Sequence, residues 1–118
     1  WRIYNGYIEV MIDSIPRGIN FFTSDERLKN SIKPTKKDSL NDIKQIDFKS
    51  FKYNDERFGP KELGVIAQQI EKVNPEWVNT MSDGHKMPDS NDLLVSALHA
   101  IQQLNKKVEE LEKKLENK

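Results

Sequence analysis

The sequence predicts an α+β fold: a small mixed domain that ends in one long amphipathic helix. Three observations carry this. Apolar side chains from Leu94 to Leu115 recur at alternating spacings of three and four, residues 1–23 are rich in β-branched and aromatic residues, and the stretch between mixes short helical and strand-like runs broken by proline and Asp-Gly steps.

In chain order, Tyr7–Ile12 and Gly18–Thr23 read as strands around a turn at Pro16 to Gly18. They are either strands of this domain's own sheet or the last strands of a preceding β-structured body. The chain opens on Trp1 rather than Met, which suggests a piece of a longer protein. Thr35–Ile46 is expected to be helical, with Leu40, Ile43 and Ile46 on one face and Asp38 or Thr35 as its cap. Phe48–Tyr53 alternates aromatic and polar residues as a half-buried strand does, so its rings are expected in the core together with Trp77. Leu63–Ile66 leads into a helix over Ala67–Val73, stopped at Asn74-Pro75 because proline disfavours helix at the residue before it. Asp83-Gly84 then signals a hairpin between Trp77–Met81 and His85–Met87.

The C-terminal helix is the clearest element. Leu94, Ala97, Ile101, Leu104, Val108, Leu111 and Leu115 fill the a and d positions of a heptad, and Asp89, Ser90 or Asn91 is placed to cap its start. In this register Lys107 stands at g and Glu112 at the next e, an attractive pair between parallel neighbours. Leu and β-branched residues share the a positions, so the pattern itself leaves dimer and trimer open. The alternative is a single amphipathic helix lying on its own domain. His99 falls at the outward f position and is expected on the surface.

Composition narrows the function. With 36% hydrophobic and 32% charged residues, the 118-residue chain has a thin core for a lone globule, which favours burial against copies of itself. The formal net charge is zero, against a nucleic-acid or membrane-surface footprint for the whole chain. Locally, residues 24–52 carry eight bases and five acids, and residues 53–90 four bases and seven acids, a modest opposition that suits packing between subunits. No cysteine is present, and no run of roughly 18 apolar residues, so disulfides, thiolate metal sites and a spanning helix are not expected. Phosphate-binding glycine loops, His-rich metal spacings and nucleophile elbows are also lacking, so neither a metal nor another cofactor is expected.

The residues that suggest chemistry are Ser24-Asp25-Glu26-Arg27-Leu28-Lys29. A serine hydroxyl needs a base, and a lysine amine five residues on reaches it if a turn or short helix lies between. Arg27 is a candidate for destabilising the charge of Lys29, while Asp25 and Glu26 are placed to polarise the scissile amide or orient the chain. The plainer reading makes Ser24 a helix N-cap and Lys29 a solvated charge.

Four stretches together carry a resemblance. Ser24–Pro34, Phe48–Tyr53, the run Leu63-Gly64-Val65-Ile66-Ala67-Gln68-Gln69-Ile70-Glu71-Lys72-Val73-Asn74-Pro75-Glu76-Trp77-Val78, and Leu93–Leu111 resemble, in order, the C-terminal intramolecular chaperone domain of phage tail spikes, neck appendages and endosialidases. The likeness covers about three quarters of the chain. It implies a homotrimer with a parallel trimeric coiled coil, built on Leu94, Ala97, Ile101, Leu104, Val108, Leu111 and Leu115. Such a trimer guides folding of an upstream triple-stranded β-helix stalk in the host bacterial cytoplasm and then releases itself by autoproteolysis, leaving the parent in the virion tail or appendage. Carried onto this chain, Ser24 is the nucleophile, Lys29 its base and Thr23–Ser24 the bond cut, with Ser24–Asp25 as its alternative. Residues 1–23 become the end of the stalk, 24–90 the small α+β chaperone region and 91–118 the trimerising helix.

Overall fold

The computed structural model describes residues 2–4, 7–12, 14–20 and 23–118. The N-terminal part is a three-stranded antiparallel sheet in the order β1 (Arg2–Tyr4), β2 (Tyr7–Ile12), β3 (Ile15–Asn20). Alternation along β2 is clear: Tyr7 and Glu9 are buried while Ile8 and Val10 are half-buried. The turn expected at Pro16 to Gly18 lies earlier instead. Ser14 takes a left-handed φ of 62°, and Pro16 sits inside β3 opposite Met11, on an edge strand where a missing N–H breaks no ladder. Gly18 lets Met87 lie close on β3: a Cβ there would stand 2.3 Å from Met87 Cε and displace the thioether. Trp1, Phe21 and Phe22 of the strand-rich N-terminal reading lie outside the described residues.

Beyond a single 3-10 turn at Glu26–Leu28, residues 29–38 form neither helix nor strand, and every one of them is exposed. The helix expected over 35–46 is cut down to α1 (Ser39–Ile43). At its front the Thr35 hydroxyl accepts the Lys37 N–H at 3.2 Å, a local bond that competes with helix, and Asp38 is the cap, accepting from Asn41 N. At its end the bonds from Gln45 and Ile46 tighten to i→i+3. Gln69 then ties the exit, donating to the Gln45 carbonyl at 2.9 Å and accepting from Asp47 N at 3.1 Å. Leu40, Ile43 and Ile46 share the inner side, each half-buried.

Strand β4 (Lys49–Phe51) pairs antiparallel with β5 (Lys61–Gly64) across an irregular register. Its aromatics do not form the core expected of them. Phe51 is half-buried, but Phe48 and Tyr53 are 60% and 46% exposed, and Tyr53 stacks within the ribbon, edge-on to Phe51 at 5.4 Å and against Phe58 at 5.6 Å. Helix α2 (Ala67–Val73) stops where the proline requires, and Asn74 caps the following turn at Pro75–Trp77 by accepting from Glu76 N. Strands β6 (Val78–Thr80) and β7 (Lys86–Pro88) make the expected hairpin, with Gly84 at φ 91° in its turn. Among the described residues, Tyr7, Pro16, Ile70, Trp77, Met81 and Ala100 are buried apolar side chains.

Helix α3 (Ser90–Glu116) starts on the Asp89 cap, which accepts from Asp92 N at 3.0 Å. It has two working sides. One faces α1: His99 Nδ1 lies 2.7 Å from Ser39 Oγ, and Gln103 Oε1 accepts the Leu40 N–H at 2.8 Å, supplying a partner for an orphan donor of α1's first turn. The surface position expected of His99 is therefore corrected; it is half-buried at a helix–helix contact. The other side carries the heptad residues. A radius of gyration of 18.2 Å, against about 13–14 Å for a compact domain of this length, reflects how far α3 projects.

Candidate functional site at Ser24 and Lys29

Ser24 and Lys29 meet across one turn. Asp25 is the N-cap of the Glu26–Leu28 turn, its carboxylate accepting the Arg27 N–H at 2.8 Å, and the turn closes with Lys29 N donating to Glu26 O at 3.1 Å. With the capping role filled by Asp25, the hydroxyl of Ser24 is left for the side chain of Lys29, whose Nζ donates to Ser24 Oγ. That replaces the plainer reading of Ser24 as a cap. Both residues are exposed, as is Thr23 on the N-terminal side of the serine.

The supporting residues divide. The Arg27 guanidinium forks onto Asp25, with Nη2 2.7 Å from Oδ2 and Nε 3.1 Å from Oδ1. This bidentate contact holds the Asp25 carboxyl below the usual carboxylate range and raises Arg27 further. Glu26 stands exposed in the first turn. Chemically, the arrangement presents a hydroxyl with an amine already in hydrogen-bond contact, flanked by a neutralised ion pair. Among the described residues, no group of three or more His, Asp or Glu is placed to hold a metal ion, and no helix is long and apolar enough to cross a membrane.

Residues 24–79 match the model of a peptidase family described as the chaperone of endosialidase, and the match begins at the serine itself. This segment belongs to that family. The chaperone-of-endosialidase domain thus takes in the Ser24/Lys29 turn, α1, β4, β5, α2 and the first strand of the hairpin. Over 100 residues, 80% of the chain, the sequence is 41% identical to a protein of Escherichia phage Phieco32 named as a probable tail fiber protein. The chain spans 14% of that relative's length.

Sequence reasoning located the serine–lysine pair but missed what fastens the domain to the sheet before it. Glu9, buried at 3% exposure, accepts hydrogen bonds from the backbone and the hydroxyl of Ser82, and the Tyr7 hydroxyl donates to the Thr80 carbonyl at 3.3 Å. A lone Glu in an otherwise apolar, strand-like run was the available signal.

Proposed function

We propose that this chain is an intramolecular chaperone of a phage tail protein, which trimerises, templates the fold of an upstream triple-stranded β-helix stalk and then cuts itself free at Thr23–Ser24. The observation that carries the reading is the contact between Lys29 Nζ and Ser24 Oγ at the first residue of the family match. Family membership and the tail-fiber relative support a chaperone of a tail protein as the broader role.

The chemistry follows from where the hydroxyl sits. Ser24 Oγ is two bonds from the Cα that carries the scissile nitrogen, so attack on the Thr23 carbonyl carbon closes a five-membered ring. Neutral Lys29 takes the hydroxyl proton, the C–N bond breaks, and a proton passes to the departing nitrogen, leaving an ester between Thr23 and Ser24 Oγ. Water then hydrolyses the ester to a Thr23 carboxylate and a Ser24 amino terminus. Being intramolecular and single-turnover, the reaction draws on held geometry, which alone contributes about 7–11 kcal/mol in well-oriented cases. In a lone chain water reaches both side chains. A trimer seated on a folded stalk would exclude it and so link the cut to correct assembly.

Trimerisation is supported by α3. Leu94, Ile101, Leu104, Leu111 and Leu115 are each more than half exposed, a stripe of apolar surface that lone soluble chains rarely show. Three such helices would bury it, with Ala97 and Val108 in the same seam and Lys107 facing Glu112 of a neighbour. Interwound strands from three chains are slow to pair and prone to slip, and a pre-formed helical trimer raises their effective concentration and aligns their ends. Cleavage afterwards leaves a stalk whose lifetime is set by its unfolding barrier.

A permanently attached trimerisation module is the second reading, favoured by the exposure of Ser24 and Lys29. Expression of the longer parent separates the two. Self-cleavage removes residues 24–118, 95 of the chain's 118 residues and about 11 kDa of its 13.8 kDa, and mass spectrometry finds Thr23 at the new C-terminus. A parent that stays full length while trimeric establishes the permanent module instead.

A further inference from the structure

Among the described residues, contacts that join the N-terminal sheet to the region after Ser24 come from neighbouring residues of β2 and β3. Glu9 and Gly18 are cross-strand partners in the β2–β3 register. Glu9 receives both donors of Ser82, and Gly18 lies under the Met87 thioether, so close that a side chain at residue 18 would have to push the Met87 tip aside. Tyr7, two residues along the same face, reaches Thr80 O at 3.3 Å. Beside them the Arg17 guanidinium sits over the Phe58 ring, 5.1 Å from its centre. Thr80, Ser82 and Met87 all belong to the β6–β7 hairpin or its turn.

We propose that the β6–β7 hairpin is the surface on which the domain reads the sheet upstream of the cut, with Glu9 as the residue that keys its register and keeps the two pieces together after cleavage. The inference rests on the self-cleaving chaperone reading only for the phrase "after cleavage". A carboxylate taken out of water is costly unless hydrogen-bonded, so Glu9 is tolerated only where Ser82 meets it. Side chains alternate along a strand. A slip of one residue would therefore bring Ile8 or Val10 against Ser82, part the carboxylate from the donors that compensate its burial and turn it to the other face. The same slip would bring a side chain in place of Gly18 under Met87. The hairpin thus favours the one register in which the buried carboxylate keeps its donors and residue 18 leaves the Met87 thioether in place.

Hydrogen exchange on the intact Ser24→Ala chain tests this without any cleavage, so its outcome is separate from that of the cutting reaction. Glu9→Leu is expected to lower protection of the Ser82 amide roughly tenfold or more, with the Asp89 amide, which donates to Trp77 O at 2.6 Å, unchanged. Ser82→Ala, which leaves the sheet's own sequence and the residue-82 amide donor intact, should loosen the sheet from the hairpin in the same direction by less, and the double variant no further than Glu9→Leu alone. Exchanging residues 8 and 9, as Ile8→Glu with Glu9→Ile, should reproduce the loss. In the cleaving chain, Glu9→Leu should speed departure of the cut domain roughly tenfold, and Ser82→Ala by less. Unchanged Ser82 protection in Glu9→Leu, or additive effects in the double variant, would overturn the assignment.

Discussion

His99 Nδ1 of α3 lies 2.7 Å from the hydroxyl of Ser39, the first residue of α1. The contact brings together residues sixty apart in sequence, and Gln103 one turn further along α3 reinforces it at Leu40 N. His99→Ala leaves the buried Ser39 hydroxyl short of a partner, and a loss of about 1–2 kcal/mol in denaturant unfolding is expected. An equally stable variant would show that the contact is incidental.

Gly64 answers to Phe51 across the β4–β5 ribbon. A Cβ on residue 64 would come 2.6 Å from Phe51 Cε2 and 2.8 Å from Cζ, so Gly64→Ala must displace the ring. A cost of about 1–3 kcal/mol is expected in thermal melts. Phe51→Leu in the same chain should recover part of it.

The heptad stripe is tested by charge. Ile101→Asp with Leu104→Asp puts two carboxylates per chain into the proposed seam, and sedimentation equilibrium should then return the mass of a single chain. Gln102→Asp, on the b side between them, should leave the parent's assembly unchanged. A parent trimer that survives the double substitution would remove α3 from the interface.

For the cut itself, Lys29→Arg is the informative change. Arginine keeps a charged donor near Ser24 but cannot take up a proton in a protein. The processed product, followed by gel, should be lost, with folding and assembly intact, as in Ser24→Ala. Cleavage at the normal rate in Lys29→Arg would show that the amine is not the base.

Asp55 provides a pH signature. The Arg57 side chain, bonded at 2.6 Å, and the Arg57 backbone N–H hold its carboxyl at about 2, below the 3.8 of an unperturbed Asp. Unfolded chains therefore bind this proton first. The contribution of Asp55 to stability is whole above pH 3.8 and disappears as the pH falls towards 2. Carboxyl titration by NMR should show this low value, and Arg57→Met should bring it back towards 3.8. Asp92 runs the other way: burial, then the nearby Asp89 and Glu76 carboxylates, raise it, so Asp92→Asn should gain stability at neutral pH.

Local chemistry was legible where one or two residues decide an element. Asn74-Pro75 ends α2 at Val73, Asp83-Gly84 turns the hairpin, and Asp89 starts α3, each visible in sequence because the determinant is a missing N–H, a positive φ or a side-chain cap. Elements settled by distant partners were not. Whether Thr35–Ile46 would be helical throughout depended on Thr35 bonding Lys37 and on Gln69 tying down the exit, and the place of His99 depended on α1. Pro16 to Gly18 has turn composition, yet an edge strand and the Met87 contact hold it extended. For the site, residue spacing placed Ser24 near Lys29, but that Asp25 and not Ser24 would cap the turn needed coordinates. The Glu9–Ser82 link spans 73 residues, and although a lone Glu in an apolar run marks one end, nothing local names Ser82 as its partner.

Residues 30–38 separate the Ser24/Lys29 turn from α1. Nine residues without helix or strand can span up to about 30–32 Å when extended, more than the 20 Å of the molecule's shortest dimension. The serine and lysine lie on the same side of this run and are closed by one turn, so they travel as a unit. On the proposed function the pair would therefore reach its bond whole, with α1 anchoring only the far end of the run.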